Sequence, residues 1–246
     1  MPDPHLRISR RVADAPYGWA ASYRALLSPG QVALALRLQL RPWPGVTSAG
    51  LDQVRHETER AVAHYFDQRF IVEQESGRQR PVRVQVEFVA SDPDLSVAVH
   101  AGFGRDNLQH WFVDSGVIVR AHEVGHAFGL KDEYVDPLAA NRATTGTAGV
   151  FQDHSLMGDF QQEGIALAEL KPRHALEIVR GLSVHFGGDF NIMPAGAAGR
   201  VARLQTGSEA ATKPGPAVAG MQSLRELARG FDAPRPGQGC SGRLRP

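Results

Sequence analysis

The hydrophobic periodicity switches between two and about 3.6 residues along the middle of the chain, and this switch constrains the fold more than any other feature of the sequence. Apolar and polar residues alternate over 32–41, 82–88 and 95–101, which predicts three strands. Between the first two, residues 51–70 carry apolar side chains three and four apart, which predicts a long amphipathic helix with Ser48 as its N-cap. The order of elements predicts an α/β (α+β) fold, in which two main helices cover one side of a twisted mixed sheet.

An apolar stretch over residues 116–128 predicts the second helix. Either Asp114 or Ser115 is expected to cap its start, and Gly129 stands where a helix ends with a left-handed residue. Residues 111–113 predict a short additional strand directly before it. The second helix is therefore expected to follow the sheet closely and to end in a sharp reversal of the chain.

The composition divides the chain into three parts. Residues 1–30 are expected to form an N-terminal extension, and residues 31–186 the folded domain, with a third helix over 172–182 that begins at a proline. Within that domain, residues 135–153 are small and polar without a pattern, which predicts a surface loop. Residues 187–246 are rich in Gly, Pro and Ala and poor in large apolar side chains, so this tail is expected to be disordered.

The charge and the cysteine content argue against several classes of protein. The 27 basic and 26 acidic side chains nearly cancel, which argues against a nucleic-acid or membrane partner. The single cysteine, Cys240, cannot form an internal disulfide or a cysteine-based metal site. No signal peptide and no apolar stretch of membrane-spanning length are recognised. The chain is therefore expected to be cytoplasmic or exported by a signal-independent route, and to be a monomer.

The second predicted helix contains an H-E-x-x-H motif over residues 122–126. Residues four apart lie on the same face of a helix, so the imidazoles of His122 and His126 can reach a single metal ion. Glu123 is one position further along, where its carboxylate can face a water on that ion rather than the ion itself. The spacing predicts a metal centre with a general base beside it.

Gly129 follows His126 by three residues, and Asp132 follows three residues later. Glycine adopts positive φ without a steric penalty, so the chain can fold back here and bring Asp132 beneath the metal as a third ligand. Other acidic residues nearby or on a downstream helix remain rivals for this role, namely Glu133, Asp136, Glu163 and Glu169.

The pattern from His122 to Asp132 resembles the zinc-binding helix of the metzincin group of zinc endopeptidases. It is similar to the variant in which aspartate replaces the third histidine, as in the snapalysin-like small bacterial neutral proteases. Ser-Leu-Met-Gly over residues 155–158 resembles the methionine-containing turn, or Met-turn, of that group. The resemblance covers residues 30–185. The interval before the Met-turn is longer than in the smallest members, and the residues after 186 have no counterpart.

The resemblance implies a metzincin-like fold with a C-terminal helix after the Met-turn. It also implies a zinc-dependent endopeptidase that acts on peptide or protein substrates. Zn²⁺ would be held by His122, His126 and Asp132, and Glu123 would be the general base for a metal-activated water.

Further residues are assigned less specific roles. Tyr134 matches a tyrosine that follows the ligand aspartate in the snapalysin-like pattern. It is expected either to donate a hydrogen bond to the tetrahedral oxyanion of the reaction or to have a packing role. Whether His154 assists catalysis stays open. The strand over 95–101 is expected to offer an exposed edge on which an extended substrate can pair.

Alternative functions also stay open at this point. A zinc amidase could act on a non-protein amide, such as a cell-wall peptide. A peptidase of the secreted effector or toxin type is a second alternative, because similar small metallopeptidase domains occur among bacterial effectors. A catalytically silent metal-binding module is the third, and Glu123 argues against it because a purely structural metal site has no use for that carboxylate.

Overall fold

The computed structural model describes residues 6–186 and 189–195. Within them, eight strands form one sheet that mixes parallel and antiparallel pairs: β1 (Leu6–Asp14), β2 (Tyr17–Leu27), β3 (Val32–Pro42), β4 (Phe70–Gln74), β5 (Gln79–Phe88), β6 (Leu95–His100), β7 (His110–Phe112) and β8 (Phe190–Pro194). The α-helices of the same residues are α1 (Ser48–Tyr65), α2 (Val117–Ala127), α3 (Phe160–Glu163) and α4 (Pro172–Phe186). The mixed α/β fold expected from the alternating periods is confirmed.

The strand β3 lies inside the sheet, in the order β1-β2-β3-β5-β4-β8, while β6 lies between β3 and β7. It pairs antiparallel with β2 and parallel with both β5 and β6. Its alternate residues Val32, Leu34, Leu36 and Leu38 are almost completely buried. Strand alternation turns these side chains to one face, where they join the core that the sheet shares with α1, α2 and α4.

The two main helices begin slightly differently from the prediction. Thr47, rather than Ser48, caps α1, because its hydroxyl accepts a backbone N–H of the first turn. Gly116, with a φ of 84°, precedes α2, so neither Asp114 nor Ser115 is its cap. The Ser115 hydroxyl instead bonds to a buried aspartate outside the helix. These differences concern single residues and leave the start of each helix close to where it was expected.

The predicted helix over residues 51–70 combines two elements. The helix α1 ends at Tyr65, and β4 begins at Phe70. Phe66 and Phe70 are both buried and keep a spacing of four, which is why the helical pattern extends too far. Gln68 adopts a positive φ of 55° between them, and this conformation lies outside the helical region.

The expectation that residues 1–30 form an extension outside the domain is wrong for their described part. The strands β1 and β2 form an antiparallel hairpin at one edge, and β2 continues the sheet to β3. Ile8 and Val12 are buried, but Arg10 stands between them and interrupts the apolar alternation that would have revealed the strand. The Arg10 guanidinium donates a hydrogen bond to the carbonyl oxygen of Gly129, just after α2.

The predicted domain end at residue 186 is also wrong, because β8 pairs antiparallel with β4. The Phe190 side chain of β8 is buried in the common core. The rest of the predicted tail, residues 187–188 and 196–246, lies outside the described residues.

The strand β6 does not offer the expected free edge over its whole length. Residues 98–100 pair with β7 on one side, and β3 pairs with β6 on the other. The short strand expected at 111–113 is this β7, shifted by one residue. Among the helices of the described residues, none has the length and the apolar character needed to cross a lipid bilayer.

Candidate metal centre

The helix α2 carries His122, Glu123 and His126, and most of its side chains are buried. It lies so close to the segment over residues 155–158 that a Cβ at position 125 would come within 2.6 Å of the Met157 sulfur. Glycine at position 125 therefore permits this contact. Met157 itself is fully buried against the helix.

The chain reverses immediately after α2. Gly129 has a φ of 89°, in the left-handed region that glycine adopts without strain. Its N–H donates to the carbonyl oxygen of His126 at 2.9 Å, and the Leu130 N–H donates to that of Gly125 at 3.0 Å. This reversal carries Asp132 back to the two histidines, as the spacing of the motif predicts.

Asp132 lies directly between the two imidazoles. Its Oδ1 atom is 3.1 Å from Nε2 of His122 and 3.3 Å from Nε2 of His126. One ligand atom from each of the three residues lies within 4.8 Å of the others. These residues form the metal triad, a group that could hold one metal ion.

Backbone carbonyl groups orient both imidazoles. Nδ1 of His122 is 3.0 Å from the carbonyl oxygen of Leu156, and Nδ1 of His126 is 2.8 Å from that of Leu130. A carbonyl oxygen can only accept, so each Nδ1 carries the proton and each Nε2 of a neutral ring presents its lone pair toward Asp132. The main chain thus sets the tautomer in which both rings can act as ligands.

The close approach of the triad also changes its protonation. Burial by itself would lower the pKa of His126, but the hydrogen bond and the charge of Asp132 outweigh it and raise this pKa to about 9. Burial would raise the pKa of Asp132, yet its hydrogen bonds to His122 and His126 bring it well below the usual range. A metal ion must therefore displace a proton from His126 at neutral pH.

Glu123 lies beside the metal triad with one oxygen free. The residue is only 4% exposed, and burial raises the pKa of its carboxyl group. Its Oε2 atom is buried and has no hydrogen-bond partner within the described part of the chain. A buried carboxylate oxygen without a partner is costly, so this atom is available to a water or a substrate group.

A buried arginine, Arg142, holds the opposite side of Asp132. Its Nη2 is 3.4 Å from Oδ2 of Asp132 and 3.5 Å from Oδ2 of Asp14, and its Nη1 is 3.2 Å from Oδ2 of Asp136. Arg142 is completely buried, although it belongs to the predicted surface loop over residues 135–153, most of which is exposed or half-buried. No spacing links this arginine to the motif in the sequence, so the pattern of the sequence could not reveal its role.

The rival acidic residues lie outside the triad. Glu133 directs its two oxygens to the guanidinium of Arg173, at 2.8 and 2.7 Å. The other rivals also pair elsewhere: Asp136 with Arg142, Glu163 with the backbone N–H of His154, and Glu169 with Lys171. Within the described residues, the group that could hold a metal contains Asp132 and none of these four rivals.

Aromatic side chains flank the ring of His122. The ring of Tyr134 lies alongside it at 6.5 Å, and that of Phe160 meets it edge-on at 5.7 Å. Burial and then the charge of Asp132 raise the pKa of Tyr134 to about 12, so its hydroxyl keeps the proton that a donor needs. His154 is exposed, and its ring faces the backbone of Glu163 rather than the triad.

The hairpin formed by β1 and β2 supports His126 from outside α2. Trp19 donates its indole N–H to the carbonyl oxygen of His126 at 2.8 Å, and its ring lies edge-on to the imidazole at 5.4 Å. Both Trp19 and Arg10 belong to the part of the chain expected to be an extension. Their distance from the motif in sequence explains why sequence patterns did not indicate them.

Comparisons of the chain with protein-family models, with curated proteins and with solved structures found no match.

Proposed function

We propose that this chain is a zinc-dependent endopeptidase of the metzincin-like, snapalysin-like kind, which hydrolyses peptide bonds in peptide or protein substrates. One observation carries the proposal. Three potential ligand atoms from two histidines and one aspartate converge beside a buried glutamate, one oxygen of which has no partner among the described residues. A purely structural metal site has no use for that fourth residue.

The donor set fits zinc. Two imidazole nitrogens and one carboxylate oxygen are typical ligands of catalytic Zn²⁺, which keeps a fourth position open. Bond lengths of 2.0–2.1 Å around a tetrahedral ion imply that neighbouring ligand atoms lie about 3.3 Å apart. The two distances from Asp132 Oδ1 to the histidine nitrogens, 3.1 and 3.3 Å, are close to this value.

When bound, Zn²⁺ would polarise the scissile carbonyl and lower the pKa of the attacking water. Glu123 takes a proton from that water as the new C–O bond forms, and it delivers the proton to the leaving amine as the C–N bond breaks. Tyr134 donates its hydroxyl proton in a hydrogen bond to the carbonyl oxygen as negative charge develops there. The products are a carboxylic acid and an amine, so one water is consumed for each bond cut.

The proposal is tested by metal analysis together with cleavage of a peptide library read by mass spectrometry. We expect about one zinc per chain, loss of cleavage after chelation and recovery on adding zinc. Glu123→Gln should retain zinc and lose about 10²- to 10⁴-fold in turnover, because a general base is removed while the ligands stay. Asp132→Ala should lose the metal, and Glu169→Ala, as the matched acidic control, should keep it. Full activity of metal-free protein, or zinc loss in Glu123→Gln, would contradict the proposal.

A further inference from the structure

An exposed arginine contacts Tyr134, one of the residues that flank the metal triad. The Nη2 atom of Arg105 is 3.4 Å from the hydroxyl of Tyr134, whose ring lies alongside His122. Within residues 6–186 and 189–195, the Arg105 guanidinium makes no ion pair, and its hydrogen bond goes to the Tyr134 hydroxyl. A neutral phenol leaves the positive charge of Arg105 uncompensated.

Two other arginines of this region are already neutralised by acidic side chains. Arg142 is buried among three carboxylates, and Arg173 is held by Glu133 and Asp153. The charges of these two guanidinium groups are therefore balanced by carboxylates of the protein. Arg105 differs because it is exposed and, among the described residues, only its contact with Tyr134 occupies one of its N–H donors.

The loop between β6 and β7 holds the backbone of Arg105 in place. The next residue, Asp106, is buried and accepts the backbone N–H of Phe112 at 2.9 Å and the hydroxyl of Ser115 at 2.6 Å. It also pairs with the buried guanidinium of Arg120, on α2. The loop is thus tied to the helix that carries the histidines, so less freedom is lost when a ligand binds Arg105.

We propose that Arg105 binds a carboxylate of the substrate, so that the peptidase prefers peptides with a carboxylate close to the bond that is cut. This inference rests on the proposed function. The carboxylate is either the side chain of an acidic residue or the free C-terminus of a short peptide. A planar guanidinium forms two parallel hydrogen bonds to such a group, which a lysine or a phenol cannot do.

The test compares matched peptides that contain Glu, Gln or Lys near the cleaved bond, each with a free and an amidated C-terminus. The parent protein should show at least a roughly tenfold higher kcat/KM for the peptide with the preferred carboxylate. Arg105→Glu should invert the preference toward the Lys peptide, an outcome that misfolding cannot produce. Arg78→Glu makes the same charge change in the exposed turn between β4 and β5, and it should keep the parental preference.

A binding measurement separates this inference from the proposed function. Fluorescence anisotropy of the labelled peptides on zinc-loaded Glu123→Gln protein reports recognition without turnover. If no peptide is cleaved but the carboxylate is still preferred in binding, the peptidase proposal fails and the role of Arg105 stands. If peptides are cleaved with equal preference for Glu and Gln and for both C-termini, or if Arg105→Glu keeps the parental preference, the inference about Arg105 is wrong.

Discussion

The two carboxylate oxygens of Asp132 have different partners. Oδ1 faces the imidazoles of His122 and His126, while Oδ2 faces the guanidinium of Arg142. Arg142 therefore fixes the rotation of the carboxylate and offsets part of its negative charge. Groups that orient a metal ligand in this way commonly change metal affinity when they are removed.

We expect Arg142→Met to lower the free energy of unfolding by roughly 3–5 kcal/mol, because it leaves three carboxylates without their buried cation. The affinity for zinc should fall about 10- to 100-fold, since Asp132 is no longer oriented. Urea denaturation and competition with a chromophoric chelator measure the two effects. Arg173→Met is the control, because it removes a comparable ion pair that does not touch the triad. It should lower stability without a similar loss of zinc, and equal zinc affinities for both variants would contradict the role of Arg142.

At the scale of elements, the first turn of α4 is tied to the segment that follows α2. Arg173 and His174 both contact Glu133, and the Ser155 hydroxyl also donates to it. Burial would raise the pKa of Glu133, but its hydrogen bonds to Arg173 and His174 lower it to about 2. The folded state therefore favours the ionised carboxylate.

This shift makes a prediction about acid stability. Because the pKa of Glu133 is lower in the folded state, its stabilising effect is fully present above about pH 4.5 and is lost as the pH falls toward 2. Glu133→Gln should lower the free energy of unfolding by roughly 2–3 kcal/mol at pH 7, and by less at pH 3. Urea denaturation of metal-free parent and variant at both pH values measures the difference. A difference that does not shrink at pH 3 would mean that the charge of Glu133 is not what stabilises this contact.

The elements that the sequence predicts well are those whose pattern is local. The histidines, the glutamate and Gly129 belong to one helix and its end, so their spacing alone predicts that Asp132 returns to the triad. Arg10 and Arg142 carry no such pattern, because the groups they bind lie more than a hundred residues away or in an irregular segment. Arg10 lies on the inner side of β1, and its position there is explained only by the carbonyl oxygen of Gly129, which it contacts in the folded chain.

For the whole molecule, the last described strand forms one edge of the sheet. The strand β8 pairs with β4 along five residues, and Phe190 is buried in the core. A chain that ends after residue 188 should be less stable than one that ends after residue 195, by roughly 2–3 kcal/mol from the burial of Phe190 alone. Thermal and urea unfolding of the two truncated proteins tests this. Equal stabilities would show that β8 adds nothing to the domain.

The hairpin of β1 and β2 also has a consequence for the order of events during synthesis. Tyr23 donates its hydroxyl proton to the carbonyl oxygen of Ile178, and Arg10 pairs with Glu177, so the hairpin meets α4 across more than 150 residues. These partners leave the ribosome more than 150 residues after the hairpin, and contacts between such distant residues form slowly. The part of the hairpin that meets α4 therefore stays uncovered until α4 has been made. Chaperones that shield newly made strands have their longest opportunity to act on this first part of the chain.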